Sequence, residues 1–140
     1  MSSIDPNALG NNQDIELAWA ELAFKFAETH EKLLSRIDGS KLRLTRIDDA
    51  IYEHFRKEFP DFDLSSVDDD ILKGTEAKKA KWREFCNKYE HQVEDFSAGT
   101  LLRSKCTEGY SQENTILVVR IQFYAIEIAR NREGHNKLDK

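Results

Sequence analysis

Tyr110–Glu133, YSQENTILVVRIQFYAIEIARNRE, runs 24 residues without glycine or proline, between Gly109 and Gly134. Between Ile116 and Ala129 only Arg120, Gln122 and Glu127 are polar. A surface helix carries one apolar stripe and a wide polar face. This stretch is apolar nearly all round, which marks it as the buried centre of a domain. Ile116, Val118, Val119 and Ile121 favour strand by propensity, and Arg120 and Gln122 alternate with apolar neighbours. The alternation then breaks, because Tyr124, Ile126 and Ile128 share the polar parity. Strands average about 5–6 residues, and nothing interrupts this segment. Ser111 suits an N-cap, with Glu113 in the positive first turn. Arg130 and Arg132 suit the negative end, and Gly134 a left-handed cap. The expectation is one helix, with a strand in its first half as the alternative.

On such a helix Glu113, Arg120, Glu127 and Asn131 form one narrow stripe. It reads as a solvated edge or a set of internal ion pairs. The sharper alternative makes Arg120, Glu127 and Arg130 part of a partner-binding surface. Gln122 stands among apolar positions and needs a partner, expected to be a loop backbone.

Outside this stretch, 140 residues suit one domain with a real core, read here as 1–140 with a flexible arm at 1–11 and a flexible tail at 134–140. The net charge of −5 is unevenly spread. Residues 1–70 carry 16 acids and 8 bases, and residues 71–140 carry 10 acids and 13 bases. That balance argues against broad nucleic-acid binding, which needs a basic footprint, and fits a protein partner with a charged surface. Cys86 and Cys106 form no CxxC pair and no metal spacing. Cys86 reads as a buried small hydrophobe and Cys106 as an exposed loop residue. The N-terminus shows no signal peptide, and no apolar run approaches a membrane span of about 18 residues. A cytosolic monomer is expected, with the nucleus as a second compartment.

Helical spacing of Ile15, Trp19, Leu22, Phe26, His30, Leu33 and Ile37 predicts a first helix from Asn12 to Gly39. A lone histidine in such a row is usually a core or rim residue. Thr45-Arg-Ile-Asp48 resembles a capping box opening a second helix, stopped at Pro60. Ser66 with Asp69 is expected to cap a short helix through Leu72. Thr75 is expected to cap a helix with Trp82, Phe85, Cys86 and Tyr89 on one side. Residues 94–110 form a long connection in which Thr100-Leu-Leu-Arg103 adds a short strand or tacks onto the core. The expected class is all-α: an irregular orthogonal bundle of four main helices plus a short one, with a long loop before a buried C-terminal helix.

Chemical motifs are weak. Asp61-Phe-Asp63 matches the D-x-D of glycosyltransferases, and Asp68–Asp70 adds carboxylates that hard cations favour. Both sit in an acidic turn, where Asp bonds the local backbone, and no βαβ alternation offers a nucleotide fold. There is no G-x-S-x-G elbow and no phosphate loop. His30, His54, His91 and His135 are scattered. No catalytic residue, metal site or cofactor is expected.

Several runs nevertheless have distinctive wording: Asp5-Pro-Asn-Ala-Leu-Gly10, Lys41-Leu-Arg-Leu-Thr45, Val93-Glu-Asp-Phe96 and Gly99-Thr-Leu-Leu-Arg103. Tyr110-Ser-Gln-Glu-Asn-Thr-Ile116, Arg120-Ile-Gln-Phe123 and Ala125-Ile-Glu-Ile-Ala-Arg-Asn-Arg132 are the most specific. In these runs the chain resembles the polysaccharide biosynthesis domain-containing protein 1 family, over almost its whole length. The resemblance implies an all-α cytosolic domain acting as a dedicated chaperone. Its implied partners are newly made translation elongation factor 1-alpha, whose GTP-binding domain it helps fold, and the ribosome. Such a role needs a surface and no catalyst. Arg103, Arg120, Glu127, Arg130 and Arg132 are then the candidate partner-binding residues, since arginine suits bidentate contacts to carboxylates. The family's name offers the alternative, an enzyme or accessory protein of polysaccharide biosynthesis.

Overall fold

The computed structural model describes residues 13–136, and the decisive stretch divides in it at Val119. Thr115–Val119 is a strand, β2, and Arg120–Arg132 is a helix, α5. β2 pairs antiparallel with β1, Gly99–Arg103, in a register running from Gly99↔Val119 to Arg103↔Thr115. The fold class is therefore α+β, and the all-α expectation is corrected. Two things decide it. Ile116, Val118 and Val119 are β-branched and stiff at χ1. Thr100–Arg103 supplies a complementary apolar strand across the intervening loop. The alternative of a strand in the first half is what occurs.

Four helices precede the sheet: α1 Gln13–Arg36, α2 Asp48–Glu58, α3 Asp69–Lys73 and α4 Glu76–Asn87. A 3-10 turn at Gly39–Lys41 follows α1. The Asp48 carboxylate accepts the Leu44 N–H (2.9 Å) and the Thr45 N–H (2.6 Å), and the Thr45 hydroxyl accepts the Ile47 N–H (3.0 Å). One arm of the expected box, the Thr45 N–H to Asp48, forms, but α2 begins at Asp48 with Ile47 as its N-cap and no side-chain cap bond. Thr75 caps α4 as expected, accepting the Lys78 N–H at 3.1 Å. Asp68, not Ser66, caps α3, accepting the Ile71 N–H; Ser66 instead bridges to Lys105. Gly134 ends α5 with φ 85°, and the His135 N–H returns to the Arg130 carbonyl, a left-handed cap of the expected kind.

The core joins Ile51 and Phe55 of α2, Trp82 and Phe85 of α4, Leu102 of β1 and Ile121, Ile126 and Ile128 of α5. Phe59 stacks on Trp82 at 4.3 Å. α5 is buried along most of its length, so the central role read from its sequence holds. α1 lies across β1; its Phe26 meets Phe123 edge-on at 5.1 Å. Cys86 is half-buried, and Cys106 is buried, contrary to the exposed loop expected. The arm at 1–11, the start of the first helix at Asn12 and positions 137–140 of the expected tail lie outside the described residues. Asn136 is buried and hydrogen-bonded, so the expected free tail does not begin at residue 134.

Candidate functional site

Three of the five residues expected on a partner surface meet inside the protein. Glu127 and Arg130 are fully buried and Arg103 nearly so. Glu127 Oε1 accepts from Arg103 Nη2 (3.1 Å) and Asn136 Nδ2 (3.0 Å), and Oε2 accepts from Arg130 Nη1 (3.0 Å). Arg130 also donates to the carbonyls of Leu64 (2.8 Å), Arg103 (3.0 Å) and Ser104 (3.0 Å). Arg103 donates to the Cys106 carbonyl (2.9 Å) and to Asn136 Oδ1 (2.8 Å). One carboxylate thus stands between two guanidiniums, and the cluster clamps the loop at Leu64, the end of β1, α5 and the chain after it. Burial pushes the Glu127 carboxyl up, but Arg103 and Arg130, helped by His30 and Asn136, outweigh it and hold its pKa at about 2. Internal ion pairing, one reading of the stripe containing Glu127, occurs at Glu127, but its partners Arg103 and Arg130 lie outside that stripe. Their functional groups are occupied in holding the fold together.

The other two lie nearer the surface. Arg120 is half-buried, with its guanidinium 4.1 Å from the centre of the Phe26 ring and Nε donating to Thr100 Oγ1 at 3.2 Å. Arg132 is exposed, pairs with Asp49 and lies 5.5 Å from the Tyr52 ring centre. Gln122 bonds backbone as expected, but that of Val119, its own helix entry. The acidic turn does local work: Asp63 accepts the Ser65 N–H and hydroxyl. Among the described residues no group of three His, Cys, Asp or Glu gathers as a metal site.

What the sequence reading missed is an open apolar groove between α1 and the sheet. Phe24, Ala27, Leu101 and Tyr110 line it, with Glu28 and Glu31 on its α1 wall, and it encloses about 390 Å³. Phe24 is 66% exposed and Leu117, on the neighbouring strand, 49%. His30 Nδ1 and the Tyr110 hydroxyl share a 2.8 Å hydrogen bond, and Glu31 accepts the Tyr110 N–H at 3.1 Å. These bonds pin the loop between the strands to α1 and fix one end of the groove. The row containing Phe26 and His30 was visible in the sequence; Phe24, off that row, was the available signal for an uncovered apolar face.

The family model described as PBDC1 protein matches residues 15–140. The chain belongs to the PBDC1 family. Human Protein PBDC1 is 52% identical over 135 residues, which cover 96% of this chain and 58% of the human protein. The mouse Protein PBDC1 is also 52% identical, with 66% of its length covered. The Saccharomyces cerevisiae Protein PBDC1 homolog is 46% identical over 140 residues, covering 97% of this chain and 95% of its own length. The chain thus spans about three fifths of the human PBDC1 relative and nearly all of the yeast one. A solution NMR structure of a Saccharomyces cerevisiae protein superposes with a TM-score of 0.79 at 45% identity, covering 89% of this chain and 87% of that one. PBDC1 membership thus agrees with the resemblance read from the sequence. No helix among the described residues is long and apolar enough to cross a membrane.

Proposed function

We propose that this chain is a client-specific chaperone that binds newly made translation elongation factor 1-alpha at or near the ribosome and assists folding of its GTP-binding domain. The reading places it in the cytosol, with access to the nucleus, and asks of it a binding surface rather than catalysis. The observation that carries it is the open groove beside β2. It is apolar along its floor, acidic on one wall and partly open to solvent. Exposed contiguous apolar surface on a folded domain marks an interaction site. The buried Arg103–Glu127–Arg130 cluster supports the reading indirectly, since it anchors the end of β1, one strand of the groove, to α5.

The test is a pull-down with the tagged chain from actively translating cells, with and without release of nascent chains from ribosomes. Enrichment of nascent elongation factor 1-alpha, reduced on release, is the expected result. No enrichment, together with measurable nucleotide-sugar binding by the purified chain, would sink the proposal.

A further inference from the structure

Among the described residues, no strand pairs with the outer edge of β2. The Arg120 N–H reaches the Ala98 carbonyl and the Ser104 N–H the Asn114 carbonyl, both at 2.8 Å. These bonds mark the bonded pairs at the two ends of the ladder. Bonded and non-bonded pairs alternate in an antiparallel ribbon. Thr100/Val118 and Leu102/Ile116 are therefore the bonded pairs between them. The main-chain groups of Thr115, Leu117 and Val119 point away from β1. α5 takes the Val119 N–H through Gln122 Oε1 at 3.1 Å. Those of Thr115 and Leu117 meet no hydrogen-bond partner among the described residues. Natural edges are blunted by lysine, proline or a bulge; Thr115-Ile-Leu-Val-Val119 has none of these.

The surroundings fit an incoming strand. The side chains of Leu101 and Leu117 face each other across the pair on the sheet face away from Leu102 and Val118. Phe24 continues this apolar surface onto α1. The groove wall carries Glu28 and Glu31, and no lysine or arginine among the described residues lines it.

We infer that β2 is completed by strand addition: its outer edge pairs with an extended segment of a protein partner whose alternate residues are apolar and whose ends carry lysine or arginine. Main-chain bonds to Thr115 and Leu117 supply affinity with little sequence demand, and the groove selects side chains on every second residue. The acidic wall favours basic ends. This mode rests on the proposed client-binding role, whose nascent client offers unpaired strands before its own sheets close.

The probe is a fluorescein-labelled ten-residue peptide of alternating valine and threonine with two lysines at each end, followed by anisotropy. Leu117→Pro deletes the outward N–H while leaving the ladder to β1 intact, because that N–H is not part of it. Binding at least tenfold weaker than wild type is expected, with Leu117→Ala in between. The same peptide N-methylated on alternate residues leaves the protein untouched and should also lose at least tenfold; glutamate in place of its lysines should weaken binding. Equal binding of the methylated and unmethylated peptides would overturn the inference. So would a concentration-dependent dimer in sedimentation that the peptide cannot displace, since a second copy would then own the edge. If wild type and Leu117→Pro capture elongation factor equally, strand addition falls and the chaperone role stands. If wild type captures none yet binds the peptide through this edge, the chaperone role falls and strand addition stands.

Discussion

Glu127 shows how much one side chain can hold. Among the described residues it is the one carboxylate paired with Arg103 and Arg130, and all three are out of water. Removing one partner of a buried ion pair strands the other charge, at a cost of about 3–5 kcal/mol. Glu127→Gln is therefore expected to lower stability by that amount, read from urea unfolding. The pH dependence follows from the depressed pKa. A carboxyl held at about 2 when folded, against its ordinary 4.5, contributes stability that is complete above 4.5 and lost as pH falls toward 2. The wild type should lose stability across that window and Glu127→Gln should lose less, the remainder coming from Asp49, Asp63 and Glu133, whose pKa values are also lowered. His30 adds a second limb. Burial lowers its pKa from the ordinary 6.5, so the unfolded chain takes up the proton first and stability falls as pH drops below 6.5. His30→Phe should reduce that limb and leave the part that His54 supplies, whose pKa burial also lowers. Arg120→Ala removes the contact with Phe26 and the bond to Thr100, and about 1 kcal/mol is expected. The Glu127–Arg130 pairing was legible as a three-residue spacing on one helix. Arg103 was not, because its carboxylate lies 24 positions away and only the sheet brings it in.

At the scale of the element, capping residues separate into exposed and buried cases. Thr75 caps an exposed helix start with one bond, and Thr75→Ala should cost about 1 kcal/mol. Asp48 is buried and accepts from two backbone N–H groups and the Thr45 hydroxyl at 2.6 Å. Asp48→Ala leaves those donors facing the core, so its thermal midpoint should fall further than that of Thr75→Ala. These helix starts could be read from four-residue patterns, because capping is local. The strands could not. β2 shares its wording with the helix that follows, and its identity depends on a partner fifteen or so residues earlier in the chain. Propensity at Ile116, Val118 and Val119 pointed to strand, but the unbroken run into Ala125–Arg132 pointed to helix. Both signals were true of different halves.

For the whole molecule, packing leaves the two thiols inert in the native state. Cys106 is buried, and burial pushes the half-buried Cys86 thiol up to about 12. Thiolate is the reactive form, so iodoacetamide at neutral pH should label neither residue until urea unfolds the chain, and then both. Early labelling of Cys106 alone would show that the loop after β1 opens on its own. Gly39 closes the opposite side. A Cβ there would lie 2.7 Å from both Asn136 Cβ and the Asn136 carbonyl oxygen, so Gly39→Ala must push the turn away from the end of α5. A cost of about 1–3 kcal/mol is expected. The burial of α5 was visible from composition alone. The groove was not, because it depends on how far α1 reaches across the sheet.

No residue separates β2 from α5: the strand ends at Val119 and the helix begins at Arg120. The two elements therefore form one stiff lever without a hinge. Anything that tilts the strand must swing the helix, and the far arm of that lever carries Glu127 between its two guanidiniums. Occupancy at one end of the lever should damp fluctuations at the other. In deuterium uptake, the amides of Thr115–Val119 and those around Glu127 should gain protection together when the peptide binds, although the peptide touches the strand and the α1 wall of the groove and not Glu127.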